Sequence, residues 1–184
     1  VKIHSAVSNL LGNTPLEELL YANMQRLGPV QFDTADRAYA AQIQATLSPA
    51  DIESEYRRCG LPLQDDLPLC DFIAPLDAVG EPMIGSTDVG DVSWVVPTVQ
   101  ARVATHAIGT PGHSWQITAQ GKAPAAHKGL VYAAKVMAAT AADLMAKPEL
   151  LQAAKADLQA RTARAPYASP MPAEVQPPVE PRPN

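Results

Sequence analysis

The apolar positions change period several times along the chain, and each change marks an element. Residues 1–8, VKIHSAVS, place Val1, Ile3, Ser5 and Val7 on one side and Lys2, His4, Ala6 and Ser8 on the other. That period of two predicts a half-buried strand. Gly12 and Asn13 supply a turn. Thr14-Pro15-Leu16-Glu17 then reads as a capping box with proline at the first helical position. Leu16, Leu19, Leu20, Met24 and Leu27 recur at helical spacing until Gly28-Pro29 stops the helix. Asp33 or Thr34 caps a second helix carrying Tyr39, Ile43 and Leu47, and Ser48-Pro49-Ala50-Asp51 opens a third that ends at Gly60. Pro62, Pro68 and Pro75 predict a loop-rich excursion over 61–80.

Beyond residue 82 the pattern shifts. GSTDVGDVSW (85–94) packs glycines and aspartates into a short run, predicting a polar turn before a strand VSWVV. Over 98–108, Val99, Ala101, Val103, Thr105 and Ala107 alternate with Gln100, Arg102, Ala104, His106 and Ile108, which predicts another strand. GTPGHSW (109–115) is the loop that leaves it, and a short strand is expected over 115–119. Residues 127–146 predict a long helix with Leu130, Ala134, Met137, Ala141 and Leu144 as its core stripe, its alanines allowing close approach to a sheet. Pro148 starts a further helix with Leu150, Leu151, Ala154 and Leu158 inward. From Pro166 seven prolines in nineteen residues predict an extended or disordered arm.

Composition narrows the function classes. The 184 residues are 47% hydrophobic, enough for a core, and the net charge of −5 gives no electrostatic footprint for nucleic acid or an anionic membrane. No uninterrupted run of eighteen apolar residues is present, so no membrane-spanning helix is expected, and no signal-peptide pattern opens the chain. Cys59 and Cys70 lack metal-ligand spacing and read as free thiols of a cytoplasmic protein. The first methionine is Met24, so the start at Val1 reads like the middle of a protein.

Candidate chemistry is sparse. Ser86, Thr87 and Asp88 sit between two glycines and Asp91 just after the second, where polar side chains line a pocket or simply form a turn. His113 lies in a Gly/Pro loop beside Ser114 and Trp115, a setting that often carries ligand contacts. His127 precedes the alanine-rich helix, where an imidazole either faces a cleft as a metal ligand or stands in water near the helix start. His106, on a strand face, and His4 read as structural. There is no close His/Asp/Glu triple, no G-x-S-x-G elbow, no Walker loop and no dinucleotide fingerprint.

The motifs GSTDVGDVSW, GTPGHSW and AHKGLVYAAKVMAATAADL resemble the C-terminal portion of the aminobenzoyl-glutamate utilization protein B family. That family belongs to the metallopeptidase clan that also holds aminoacylases and glutamate carboxypeptidases. SAVSNLLGNTPLEELLYANM resembles the segment leaving the clan's lid domain, and PYASPMPAEVQPPVEP the family's proline-rich end. The resemblance covers nearly the whole chain, with residues 30–75 adding little.

The resemblance implies an α/β fold: the C-terminal part of a catalytic domain with a mixed sheet flanked by helices, preceded by the last strand of a lid and dimerisation domain. On this division 1–12 end the lid domain and hinge, 13–163 are catalytic-domain sequence, and 164–184 are the proline-rich tail. The implied activity is metal-dependent hydrolysis of the amide of p-aminobenzoyl-glutamate or a similar N-acyl amino acid, using one or two divalent ions (Zn²⁺ or Mn²⁺). By position, His127 matches the clan's last metal ligand, Ser86, Thr87 and Asp88 its substrate-side loop, and His113 a family pocket loop. The remaining ligands and the general-base glutamate match nothing here, so the chain supplies no catalytic residue. The expected partners are the missing N-terminal part or a homologous subunit, in an enzyme that is a dimer when complete. The alternatives are a non-catalytic assembly partner or an inactive remnant. Either way the first strand and the long helix are expected to expose apolar faces.

Overall fold

A computed structural model describes residues 3–81, 85 and 87–175. Seven helices follow in order: α1 (Thr14–Leu27), α2 (Thr34–Gln44), α3 (Pro49–Cys59), α4 (Val89–Ser93), α5 (Trp115–Gln120), α6 (Pro124–Ala146) and α7 (Pro148–Thr162). The first three begin where side chains satisfy orphan amides. Asn13 Oδ1 accepts from the Leu16 amide, one residue earlier than the cap expected at Thr14. Asp33 with Asp36, and Ser48 with Asp51, form reciprocal capping boxes. Gly60, at φ +65°, ends α3 in the left-handed conformation that favours glycine.

The expected α/β fold with a mixed sheet is wrong: no strand occurs among the described residues. Residues 3–8 have no regular structure, VGDVS is helix α4, and WQITAQ is helix α5, opened by the Ser114 hydroxyl accepting from the Ile117 amide. Residues 97–105 run without turn or bend, yet the alternating pattern there finds no strand to pair with. Alternation reports only that two faces differ; a strand also needs a hydrogen-bonded neighbour.

Helices α1, α6 and α7 pack on one another. Asn13, buried at the start of α1, donates through Nδ2 to the Ala154 carbonyl of α7 at 2.8 Å. Between α1 and α6 a polar knot forms, with Asn23 donating to Asp143 at 3.0 Å and Arg26 bonded to Asn23. The core gathers Leu20, Phe32, Ile43, Leu69, Ala107 and Val136. Leu69 comes from the proline-rich excursion, which is irregular as expected but plugs the core.

Helix α6 inverts the expected stripe. Its buried positions are Ala125, Gly129, Tyr132, Val136 and Thr140. Gly129 is needed there, since a Cβ would collide with the Ala104 carbonyl and the Thr105 methyl. Leu130 (66% exposed), Ala134, Met137 (61%) and Ala141 face outward. The absence of a membrane-length apolar helix is also corrected, because α6 qualifies by length and composition. Its packing is to protein, however: Tyr132 donates to the Met24 carbonyl at 3.3 Å, and Lys128 pairs with Asp33 and Asp36.

Candidate functional site

GSTDVGDVSW folds back on the segment entering α1. Gly90 lies against the Ser8 carbonyl so closely that no Cβ fits. Asp91 Oδ1 accepts from the Ser8 amide at 3.1 Å, Ser93 Oγ from the Leu11 amide at 2.8 Å, and Trp94 Nε1 donates to the Asn9 carbonyl at 2.8 Å. Tyr167, in the proline-rich arm, donates to the same Asp91 oxygen at 3.1 Å. Hydrogen bonds from Ser8, its side chain first and then its amide, and from Tyr167 hold the Asp91 carboxyl below the usual carboxylate range. These residues form a clasp between three distant parts of the chain.

Two other polar residues of the motif take no part in the clasp. Thr87 and Asp88 are exposed, Thr87 Oγ1 accepts from the Val89 amide at 3.3 Å, and Asp88 precedes α4 without capping it. Ser86 lies outside the described residues. His113 is exposed, with φ at +58°, in the loop whose Ser114 caps α5.

His127 is exposed on the first turn of α6 and lines a cleft of about 420 Å³ with Leu27, Gln31, Lys128, Val131 and Lys135. No carboxylate lines this cleft. No group of three or more His, Cys, Asp or Glu side chains able to hold a metal occurs among the described residues. One imidazole with no carboxylate beside it in the cleft cannot by itself hold a divalent ion, which requires three or four ligands. Lys128 is paired with Asp33 and Asp36, so Lys135 is the cleft's cation without an ion pair among the described residues, and it suits a carboxylate.

A larger cleft, about 740 Å³, opens between α1, α3 and the 98–110 run. Its walls include Leu20, Met24, Phe72 and Ile117, with Arg102, His106 and the two cysteines among its polar residues. Both cysteines are free thiols, as expected, and burial pushes both thiols up. The His106 Nδ1 pairs with Thr105 Oγ1 at 3.0 Å, and burial lowers its pKa against the opposing pull of Glu55. Sequence reasoning set His106 aside as structural. The available signal was its place beside Gln100 and Arg102 on one face of the 98–108 pattern.

Thus Thr87, Asp88, His113 and His127 are all at the surface, and none lines the larger cleft. No protein-family profile matches the chain, and no solved structure matches it. The sequence is similar to a subunit of the p-aminobenzoyl-glutamate hydrolase of Escherichia coli K12, with 34% identity over 186 aligned residues. The alignment takes in 96% of this chain and 39% of that protein, so the chain spans about two-fifths of the relative's length. Identity at that level through almost the whole chain bears out the resemblance of its motifs to the aminobenzoyl-glutamate utilization protein B-like family, as a match to part of that protein.

Proposed function

We propose that this chain forms the C-terminal part of an amidohydrolase that cleaves p-aminobenzoyl-glutamate or a similar N-acyl amino acid. The observation that carries the reading is the 34% identity to a protein named as a p-aminobenzoyl-glutamate hydrolase subunit. On this reading the chain is cytoplasmic and contributes surface and pocket residues. Thr87, Asp88 and His113 meet the substrate, Ser86 beside them, and the His127 cleft, with Lys135, takes a substrate carboxylate or offers an imidazole to a divalent ion. The other ligands of such an ion, Zn²⁺ or Mn²⁺, belong to sequence outside this chain.

The test compares the purified chain alone with the chain co-produced with the part of the relative that it does not span. The chain alone is expected to release no glutamate from p-aminobenzoyl-glutamate and to hold no stoichiometric Zn²⁺ or Mn²⁺. The combined preparation is expected to do both, with His127→Ala lowering metal content and activity together. Turnover by the isolated chain would overturn the incomplete-site reading. A combined preparation that assembles but never hydrolyses the substrate favours the second reading, a non-catalytic assembly partner.

A further inference from the structure

Past α7, residues 165–175 hold Pro166, Pro170 and Pro172, which have no amide to donate. The other hydrogen bonds of this arm are local. The Ala165 amide donates to the Thr162 carbonyl, the Met171 amide to Ser169 Oγ and the Val175 amide to the Pro172 carbonyl. Among the described residues, the Tyr167 hydroxyl alone carries the arm to a distant element, donating to Asp91 Oδ1 at 3.1 Å. Tyr167 is half-buried, and its acceptor is a carboxylate, so the bond is of the stronger, charge-assisted kind.

Asp91 belongs to α4, which has five residues and is too short to stand by its own hydrogen bonds. α4 follows directly on Thr87 and Asp88 and is tied to Thr87 at two points. The Gly90 amide donates to the Thr87 carbonyl at 2.9 Å, and the Val89 amide to Thr87 Oγ1 at 3.3 Å. A series of contacts therefore runs from the arm's hydroxyl, through the Asp91 carboxylate and the first turn of α4, to Thr87. Asp91 Oδ1 also accepts from the Ser8 amide at 3.1 Å, so one oxygen joins the arm and the segment entering α1 to the same short helix. Gly90 and Ser93 are buried while Thr87 and Asp88 are exposed, so the seating of α4 governs how the exposed pair is presented.

We propose that Tyr167 and Asp91 are positioning residues: the proline-rich arm straps α4 in place, and α4 holds Thr87 and Asp88 in the arrangement that receives the substrate. The proposal rests on the reading above, in which Thr87 and Asp88 meet an N-acyl amino acid, and adds the C-terminal arm to the determinants of that site. Neither Tyr167 nor Asp91 touches the substrate. The strap orders the loop before binding, so its loss weakens substrate affinity and leaves the chemical step alone.

The test has two arms. In the full chain, amide hydrogen exchange is followed at Val89 and Gly90, with Leu20 and Val136 as core references. Tyr167→Phe is expected to speed exchange at Val89 and Gly90 about fivefold, the effect of one net hydrogen bond, with the core amides unchanged. Asp91→Asn, which keeps an acceptor for both donors, should stay within about twofold of the unsubstituted chain. Asp91→Ala should exchange faster than either, and adding Tyr167→Phe to it should change nothing further, because the hydroxyl then has no partner. Unaltered exchange in Tyr167→Phe, equal acceleration in the core, or an additive double variant would overturn the proposal. The second arm uses the chain co-produced with the part of the relative that it does not span. There Tyr167→Phe should raise KM for p-aminobenzoyl-glutamate about fivefold with kcat within about twofold. A fall in kcat at constant KM, as a merely less stable protein would show, or no change in either, would also overturn it. If the unsubstituted combined preparation hydrolyses nothing, the catalytic reading fails, and the exchange arm still decides whether the strap orders the loop.

Discussion

Gly90→Ala tests whether GSTDVGDVSW is a clasp. Gly90 has no left-handed φ and sits in helix α4, so alanine is acceptable to its own backbone and should favour the helix by about 0.5–1 kcal/mol. The obstacle is tertiary. A Cβ would fall on the Ser8 carbonyl, far inside contact distance of its oxygen and 3.0 Å from its carbon. Both atoms are backbone, so residues 8–11 must move away from α4. That movement strains the Ser8–Asp91, Leu11–Ser93 and Asn9–Trp94 hydrogen bonds together. Each is worth about 1 kcal/mol net, so losing three outweighs the helical gain and leaves the variant about 2 kcal/mol less stable.

A chain of this size loses about 2–4 °C in melting temperature per kcal/mol, so a drop of about 4–8 °C is expected by calorimetry. Faster exchange of the Ser8 and Leu11 amides should accompany it. Gly112→Ala, where nothing lies within 4 Å of a built Cβ, is the control and should be neutral. An equal or higher melting temperature for Gly90→Ala, with Ser8 and Leu11 still protected, would refute the clasp.

Two further outcomes follow from burial and charge. Because burial lowers the His106 pKa, the unfolded chain binds more protons than the folded one as pH falls below about 6.5; stability should fall between pH 7 and 5.5, and His106→Gln should flatten that slope in denaturant titrations, an unchanged slope removing His106 as its source. Val136, fully buried on α6, should cost about 2 kcal/mol as alanine, whereas Met137→Ala, on the open face, should leave stability unchanged and lower any concentration-dependent association seen by light scattering.

Local signals in the sequence were reliable wherever the residue itself makes the structure. Asp33, Ser48 and Gly60 cap what they were read to cap, because a capping bond closes within four residues. The core stripe of α6 was legible as a pattern, but four of its five residues, Leu130, Ala134, Met137 and Ala141, lie on the exposed side, with Leu144 half-buried. Both faces of that helix are apolar, and the one that packs on α1 and on the 104–105 backbone is marked by Gly129 and Thr140, whose value is close approach and a hydrogen bond to the Val136 carbonyl. Hydropathy does not see either property. The 98–108 alternation was legible too, but pairing is a relation between two segments, and the described residues supply no second one.

The candidate site divides along the same line. In GSTDVGDVSW Gly90, Asp91, Ser93 and Trp94 hold the chain to itself, while Thr87 and Asp88 are exposed. In GTPGHSW, Thr110 bonds to the Ala107 carbonyl and to Gln120, and Ser114 caps α5, while His113 and Trp115 stay open. Each motif therefore uses its small and polar residues to fix a loop and presents its chemically versatile side chains to whatever lies beyond. His127 on α6 repeats the arrangement, one imidazole at the rim of a cleft with no acidic partner. On the proposed reading, loops fixed in this way set Thr87, Asp88 and His113 in position before a substrate arrives, and the groups they face come from sequence outside this chain.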